Sequence, residues 1–177
     1  MRWAALNRRM IAARVGGALG GRIGDPIVDR CHNLVEVVDG LFLHRKGVAP
    51  GAGEVLVAGT RGSRSHLVAA HSGADANFSV AHGAGRKMSR ADALRRGRAK
   101  HTVEELRRTP LGSVVVCGDR QLLFEEAPTA YKRIEKVVAD LVGYGLATEI
   151  CTTVPLVTFK TPDRRGGTRT GSRGGQA

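Results

Sequence analysis

The sequence predicts one domain that mixes helices and strands, and three observations lead there. Apolar spacing switches between helical and strand-like periods along the chain. Ser or Thr with an acidic residue three places on, and Gly, Asp and Pro at turns, punctuate those segments. Finally, 42% of the 177 residues are hydrophobic, enough to form a core. With 4% aromatic residues that core must come mainly from Val, Leu, Ala and Ile, and 24 glycines imply many tight turns or close backbone approaches.

Taken in order, residues 3–15 read as an amphipathic helix. Leu6, Met10, Ile11 and Val15 share a face, with Arg8, Arg9 and Arg14 off it. Glycines between 17 and 24 end it. The β-rich runs 34–38 and 41–44 flank Asp39-Gly40, a pair suited to the positive-φ places of a type I′ hairpin turn. A loop over 47–53 follows, then short strands at 54–58, 66–70 and 78–81. Ser89 with Asp92, and Thr102 with Glu105, fit helix starts, placing helices over 90–98 and 103–108. Residues 114–117 read as a buried strand. Pro128 suits the first position of a helix running to 142, ended by Gly143 and Gly145. Residues 147–160 read as strand, turned at Pro155. Beyond Asp163 no apolar periodicity remains, so residues 1–162 are expected to fold and 163–177 to be a disordered basic tail.

The net charge of +12 and pI near 10.8 point to phosphate-bearing partners, nucleotide or nucleic acid. Cys31, Cys117 and Cys151 are odd in number and far apart, which excludes a disulfide framework and a zinc knuckle. No apolar run approaches the about 20 residues that span a bilayer, and the first residues lack the apolar core of a signal peptide. A cytoplasmic protein without membrane association is expected.

The most informative run is Ser79-Val80-Ala81-His82-Gly83-Ala84-Gly85-Arg86-Lys87-Met88-Ser89-Arg90. A strand enters a glycine turn and then a capped helix. Such a turn can aim successive N–H groups at one anion, and the helix start adds partial positive charge. His82 stands at its mouth, where an imidazole can attack a phosphorus held by those donors, with Arg86, Lys87 and Arg90 adding full charges. Taken alone, Gly-x-Gly fits an ordinary strand-to-helix turn equally well. Two further segments carry donors: His44-Arg45-Lys46-Gly47 at the end of the hairpin, and Ala58-Gly59-Thr60-Arg61-Gly62-Ser63-Arg64-Ser65 between two strands. In Cys31-His32-Asn33 the imidazole is either a divalent-metal ligand or a structural residue.

The order of these pieces, with Glu125-Glu126-Ala127-Pro128-Thr129-Ala130-Tyr131-Lys132 and the final Pro155-Leu156-Val157-Thr158-Phe159-Lys160, resembles the RtcB family of RNA ligases, up to Thr161. The resemblance implies an α+β fold, the C-terminal portion of the RtcB-like fold, with strands and helices around a nucleotide cleft. It also implies GTP-dependent RNA ligation in tRNA splicing and RNA repair. His82 matches the nucleophile that attacks the α-phosphorus of GTP to give guanylyl-histidine. The guanylate then passes to an RNA 3′-phosphate, including one opened from a 2′,3′-cyclic phosphate. A 5′-hydroxyl attacks that end, joining the strands and releasing GMP. Two Mn2+ ions would offset phosphate charge.

By the same resemblance His32 matches a metal ligand and Asn33 lies beside the nucleotide. Ala58, Gly59, Thr60, Arg61, Ser65, His82, Gly83, Ala84, Gly85 and Lys160 match the guanylate surroundings. Lys46 and Arg86 would face phosphate, and Arg45 joins them on charge alone. Ala58-Gly59-Thr60 replaces the family's usual Pro-Gly-Ser while keeping a hydroxyl, and His66 stands where Tyr is usual. The family's other metal ligands come from an N-terminal half, so a C-terminal half is expected here, incomplete unless a separate N-terminal ligase half joins it. The alternatives are a non-catalytic remnant and a basic nucleotide- or RNA-binding protein, although no RRM, KH or zinc-finger signature is present.

Overall fold

A computed structural model describes residues 2–160; the expected basic tail lies outside the described residues. In chain order the elements are α1 (Arg2–Ala18), β1 (Asn33–Val38), β2 (Leu41–Lys46), β3 (Val48–Pro50), β4 (Ala52–Val57), β5 (Ser65–His71), β6 (Ser79–Ala81), α2 (Arg90–Lys100) and α3 (Val103–Arg107). They are followed by β7 (Val114–Val116), α4 (Arg120–Glu125), α5 (Ile134–Gly143), β8 (Ala147–Thr153) and β9 (Val157–Phe159). The chain forms two compact units, each assembled from separate stretches. Of the described residues, the first takes 2–59, 65–84 and 133–153; the second takes 60–64, 85–132 and 154–160.

The first unit is built on an antiparallel sheet in the order β4-β5-β8. Its inward face alternates along the strands as a half-buried sheet requires: Val55 and Val57 on β4, Val68 and Ala70 on β5, and Ala147 at the start of β8. Helix α5 packs against β8 and buries Ile134, Val138 and Leu141, which its helical period places on one face. A second antiparallel pair, β3 with β6, buries Ala49 and Val80. The β1–β2 hairpin turns at Asp39 and Gly40, both at positive φ (51° and 78°) as the type I′ expectation requires.

In the second unit α2, α3 and α4 surround Leu106, Val115, Cys117, Leu123, Phe124 and Ala127. Ser89 caps α2 by accepting from the Asp92 N–H, and Thr102 with Glu105 forms a complete capping box on α3. Strand β7 pairs in parallel with β9. Gly97 lets α2 approach α4 so closely that a Cβ there would stand 2.7 Å from the Phe124 carbonyl oxygen.

Several sequence expectations need correction. Helix α1 forms, but none of its residues is buried, and the apolar side chains of its expected stripe, Leu6, Met10, Ile11 and Val15, are exposed. The loop expected over 47–53 contains β3, whose pairing with β6 is a non-local contact. The helix expected from Pro128 to 142 is broken. Pro128–Ala130 is a single 3-10 turn and α5 begins only at Ile134. Between them Tyr131 bridges Arg86, and the Lys132 N–H donates to the Gly85 carbonyl, which holds that stretch extended. Helix α4 was not foreseen; Asp119 starts it by accepting from the Gln121 and Leu122 amides. Residues 147–160 hold two strands, β8 and β9, in different sheets. The α+β expectation gives way to a mixed α/β organisation: helices fall between strands along the chain, the strands form several small sheets, and one pair is parallel. Among the described residues no helix is long and apolar enough to cross a membrane.

Candidate active site

In the first unit, β6 delivers His82 to the rim of a cleft of about 230 Å³ lined by His32, Ala58, Arg8, Asp29 and Arg30 over a floor of Ala49 and Val55. The His32 and His82 rings stack with centroids 3.9 Å apart and planes 13° from parallel. Burial, and secondarily the charge of His32, push the His82 imidazole below its ordinary range. A neutral, half-buried imidazole keeps a lone pair for attack or for accepting a proton. Arg8 and Asp29 pair across the cleft wall, and Arg30 donates to the Glu54 carbonyl at 3.2 Å.

The backbone fixes His82 from both sides. The Ala58 N–H donates to the His82 carbonyl at 2.9 Å, and the Ala84 N–H donates to the Ala58 carbonyl at 2.9 Å. Gly83 eases this contact, since a Cβ there would lie a tight 3.1 Å from the Ala58 oxygen. The amide of Ala84, expected to point at an anion, is therefore spent on Ala58. Ser65 accepts from the Gly59 N–H at 3.0 Å and so shapes the same segment. The Asn33 side chain and the His32 carbonyl both accept from the Gly47 N–H, at 3.0 Å and 2.7 Å, which ties the base of the hairpin below His32. Lys46 is exposed opposite Asn33.

Arg45 departs from its expected role. Its side chain is 2% exposed and donates to Ser79 Oγ (2.9 Å), the Phe78 carbonyl (2.8 Å) and Glu36. It ties the hairpin to the entry to β6, the strand that leads to His82.

The second unit holds Thr60, Arg61, Gly85, Arg86 and Lys160. Thr60 closes a small turn: its N–H donates to Ser63 Oγ at 2.7 Å, and its hydroxyl accepts from the Gly62 N–H at 3.2 Å. Arg61 is turned inward, with Nη2 donating to the Leu123 carbonyl at 2.6 Å. Its Nε and Nη1 are enclosed without a protein acceptor, and burial lowers its pKa. Gly85 adopts φ 68°, the left-handed turn that feeds Arg86.

Arg86 Nη1 donates to Glu126 Oε1 at 2.9 Å and to the Tyr131 hydroxyl oxygen at 3.2 Å, while Nη2 donates to the Glu125 carbonyl at 2.9 Å. The guanidinium lies over the Tyr131 ring, 5.1 Å from its centre. The Tyr131 hydroxyl in turn donates to Glu126, and exposed Arg90 pairs with Glu125. Burial works to raise the Glu126 pKa, but the Tyr131 hydroxyl, Arg86, Lys160 and Arg90 together outweigh it and hold the carboxyl below its usual range. Tyr131 moves up, through burial first and then its bond to Glu126.

Sequence reasoning missed Arg8 and Asp29 in the histidine cleft, which no local pattern marks. It quoted Glu126 and Tyr131 without giving them a role; an acidic and a phenolic residue beside a basic loop were the available signal.

The family model for "tRNA-splicing ligase RtcB" matches residues 1–161. The chain belongs to the RtcB family. The expected restriction to a C-terminal half, and to a C-terminal portion of the fold, is corrected by this match, which takes in nearly the whole chain. Among curated relatives, the "RNA-splicing ligase RtcB2" of Escherichia coli is 42% identical over 163 residues, covering 89% of this chain and 43% of the relative. The "RNA-splicing ligase RtcB" of Mycobacterium tuberculosis is 34% identical, covering 85% of this chain and 38% of its own length. The "tRNA-splicing ligase RtcB" of Pyrococcus furiosus is 36% identical over 72% of this chain and 16% of its own length. The chain thus spans about two-fifths of the length of the first two.

His32 and His82 are adjacent imidazoles. Among the described residues, however, no group of three or more His, Cys, Asp or Glu side chains is arranged to hold a metal ion.

Proposed function

We propose that this chain carries the nucleotide-accepting centre of an RNA ligase acting in RNA repair or tRNA splicing, with GTP consumed as a substrate and His82 as its nucleophile. One observation carries the reading: an imidazole stacked on a second imidazole and pinned by Ala58 at the rim of a cleft, where burial disfavours its charged form. In the proposed first step a His82 ring nitrogen forms a bond to the α-phosphorus of GTP and the bond to pyrophosphate breaks. The guanylate then moves to an RNA 3′-phosphate, and a 5′-hydroxyl displaces GMP as the strands join. Ala58, Gly59 and Ser65 shape the segment beside His82. Thr60, Gly85 and Lys160 are proposed to surround the guanylate, and Lys46 and Arg86 to face phosphate. RNA is the partner that the charge of +12 favours.

Manganese does not fit the described residues by themselves. A hard divalent cation needs several ligands, and His32 with His82 supplies two imidazoles. His32 remains the proposed ligand in a set that further polypeptide would complete.

The test is incubation with GTP labelled at the α-phosphate and Mn2+, with the chain alone and with a complementing polypeptide that supplies further ligands. An acid-labile, histidine-linked guanylate is expected, and His82→Ala abolishes it. Equal labelling of His82→Ala discards the assignment. GTP binding without labelling in either mixture assigns the chain to nucleotide binding without turnover.

A further inference from the structure

The segment Glu125 to Tyr131 has no part in the steps above, yet it wraps the one arginine that the glycine turn delivers. Three bonds and a ring fix the Arg86 guanidinium: Glu126 and the Tyr131 hydroxyl on Nη1, the Glu125 carbonyl on Nη2, and the Tyr131 face beneath it. Glu126 is the shared member, since its second carboxylate oxygen accepts from the Tyr131 hydroxyl. Its side chain is 16% exposed, so water competes weakly for these bonds. The backbone repeats the coupling. Arg86 bridges Tyr131, the Lys87 N–H donates to the Ala130 carbonyl at 3.0 Å, and the Lys132 N–H donates to the Gly85 carbonyl at 3.0 Å.

We propose that Glu126, acting with Tyr131, is a positioning residue that sets the Arg86 guanidinium for a nucleotide phosphate. A carboxylate beside a phosphate-binding cation weakens the long-range attraction. It also removes the rotamer freedom of a long side chain, so the one Nη2 N–H that these bonds leave over meets the anion in a single geometry. Arg90 and Lys160, whose charges both act on Glu126, restore the positive balance of the cluster. The proposal rests on the reading of Arg86 as phosphate-facing and adds what holds it there.

The experiment measures binding of GTP and of guanosine by calorimetry to the full chain and its variants. Phenol ionisation is followed by ultraviolet absorbance in a Tyr144→Phe background, where Tyr131 is the sole tyrosine. Glu126→Gln is expected to weaken GTP binding about tenfold, the scale of one charge-assisted hydrogen bond. Guanosine binding stays unchanged and the phenol titration moves to lower pH. Glu126→Asp recovers part of the GTP affinity, and Tyr131→Phe weakens it in the same sense. Arg86→Ala combined with Glu126→Gln is no worse than Arg86→Ala alone. GTP affinity in Glu126→Gln that equals or exceeds the parent overturns the proposal, as do equal losses for guanosine or additive losses in the double variant. In those cases the His82 reading stands. A parent chain that binds no GTP instead sinks the nucleotide reading, and this proposal with it.

Discussion

Burial and the neighbouring imidazole both disfavour a proton on His82. Its folded-state pKa therefore lies below the ordinary 6.5, and the unfolded chain takes up that proton more readily. The sign follows: this ring favours the folded state more as pH rises through that range, and it gives up its proton more readily than a free imidazole does. Removing the His32 ring relieves part of both causes. His32→Gln is accordingly expected to raise the His82 pKa, read from imidazole proton shifts in a chelator-treated sample. An unchanged or lower value would contradict the electrostatic account of the stack. Arg45 makes the opposite point at the same scale. Its charge suggested phosphate, yet three protein acceptors make its burial affordable. Charge alone says nothing of where a side chain finds partners.

The elements that sequence reading located were those defined by neighbours in the chain. The hairpin at Asp39-Gly40 and the capped starts of α2 and α3 depend on a few consecutive residues, and they form as read. The break after Ala130 and the strand β3 depend on pairing with residues far away, Gly85, Arg86 and β6, and neither was legible. The candidate site divides in the same way. The turn around His82 announces itself locally, whereas the Arg8–Asp29 wall and the Glu126–Tyr131 bracket exist only through tertiary approach. Gly97 offers a test of such an approach. Replacing it with Ala should gain about 1 kcal/mol of helix propensity. The new methyl meets the backbone carbonyl of Phe124, which has little room to yield, and overpacking of this kind costs about 1–3 kcal/mol. A net loss in denaturant or thermal unfolding is expected; a more stable Gly97→Ala protein would show that α2 and α4 part easily.

At the scale of the whole chain, the charge of +12 would make the proposed affinity for RNA a matter of displaced counterions. With about three phosphate contacts on a single strand, binding should weaken roughly twentyfold between about 50 and 200 mM salt. Fluorescence anisotropy of a labelled oligonucleotide checks this, and salt-independent binding would exclude backbone contact as its source. Neither unit is a continuous stretch of chain. Strand β8 completes the sheet of one, and β9 pairs with β7 in the other. On a ribosome, therefore, the nascent polypeptide must carry one edge of β5 and one edge of β7 unmet until residues 147–159 emerge. A nonsense codon anywhere ahead of that stretch removes the closing strand of both units at once.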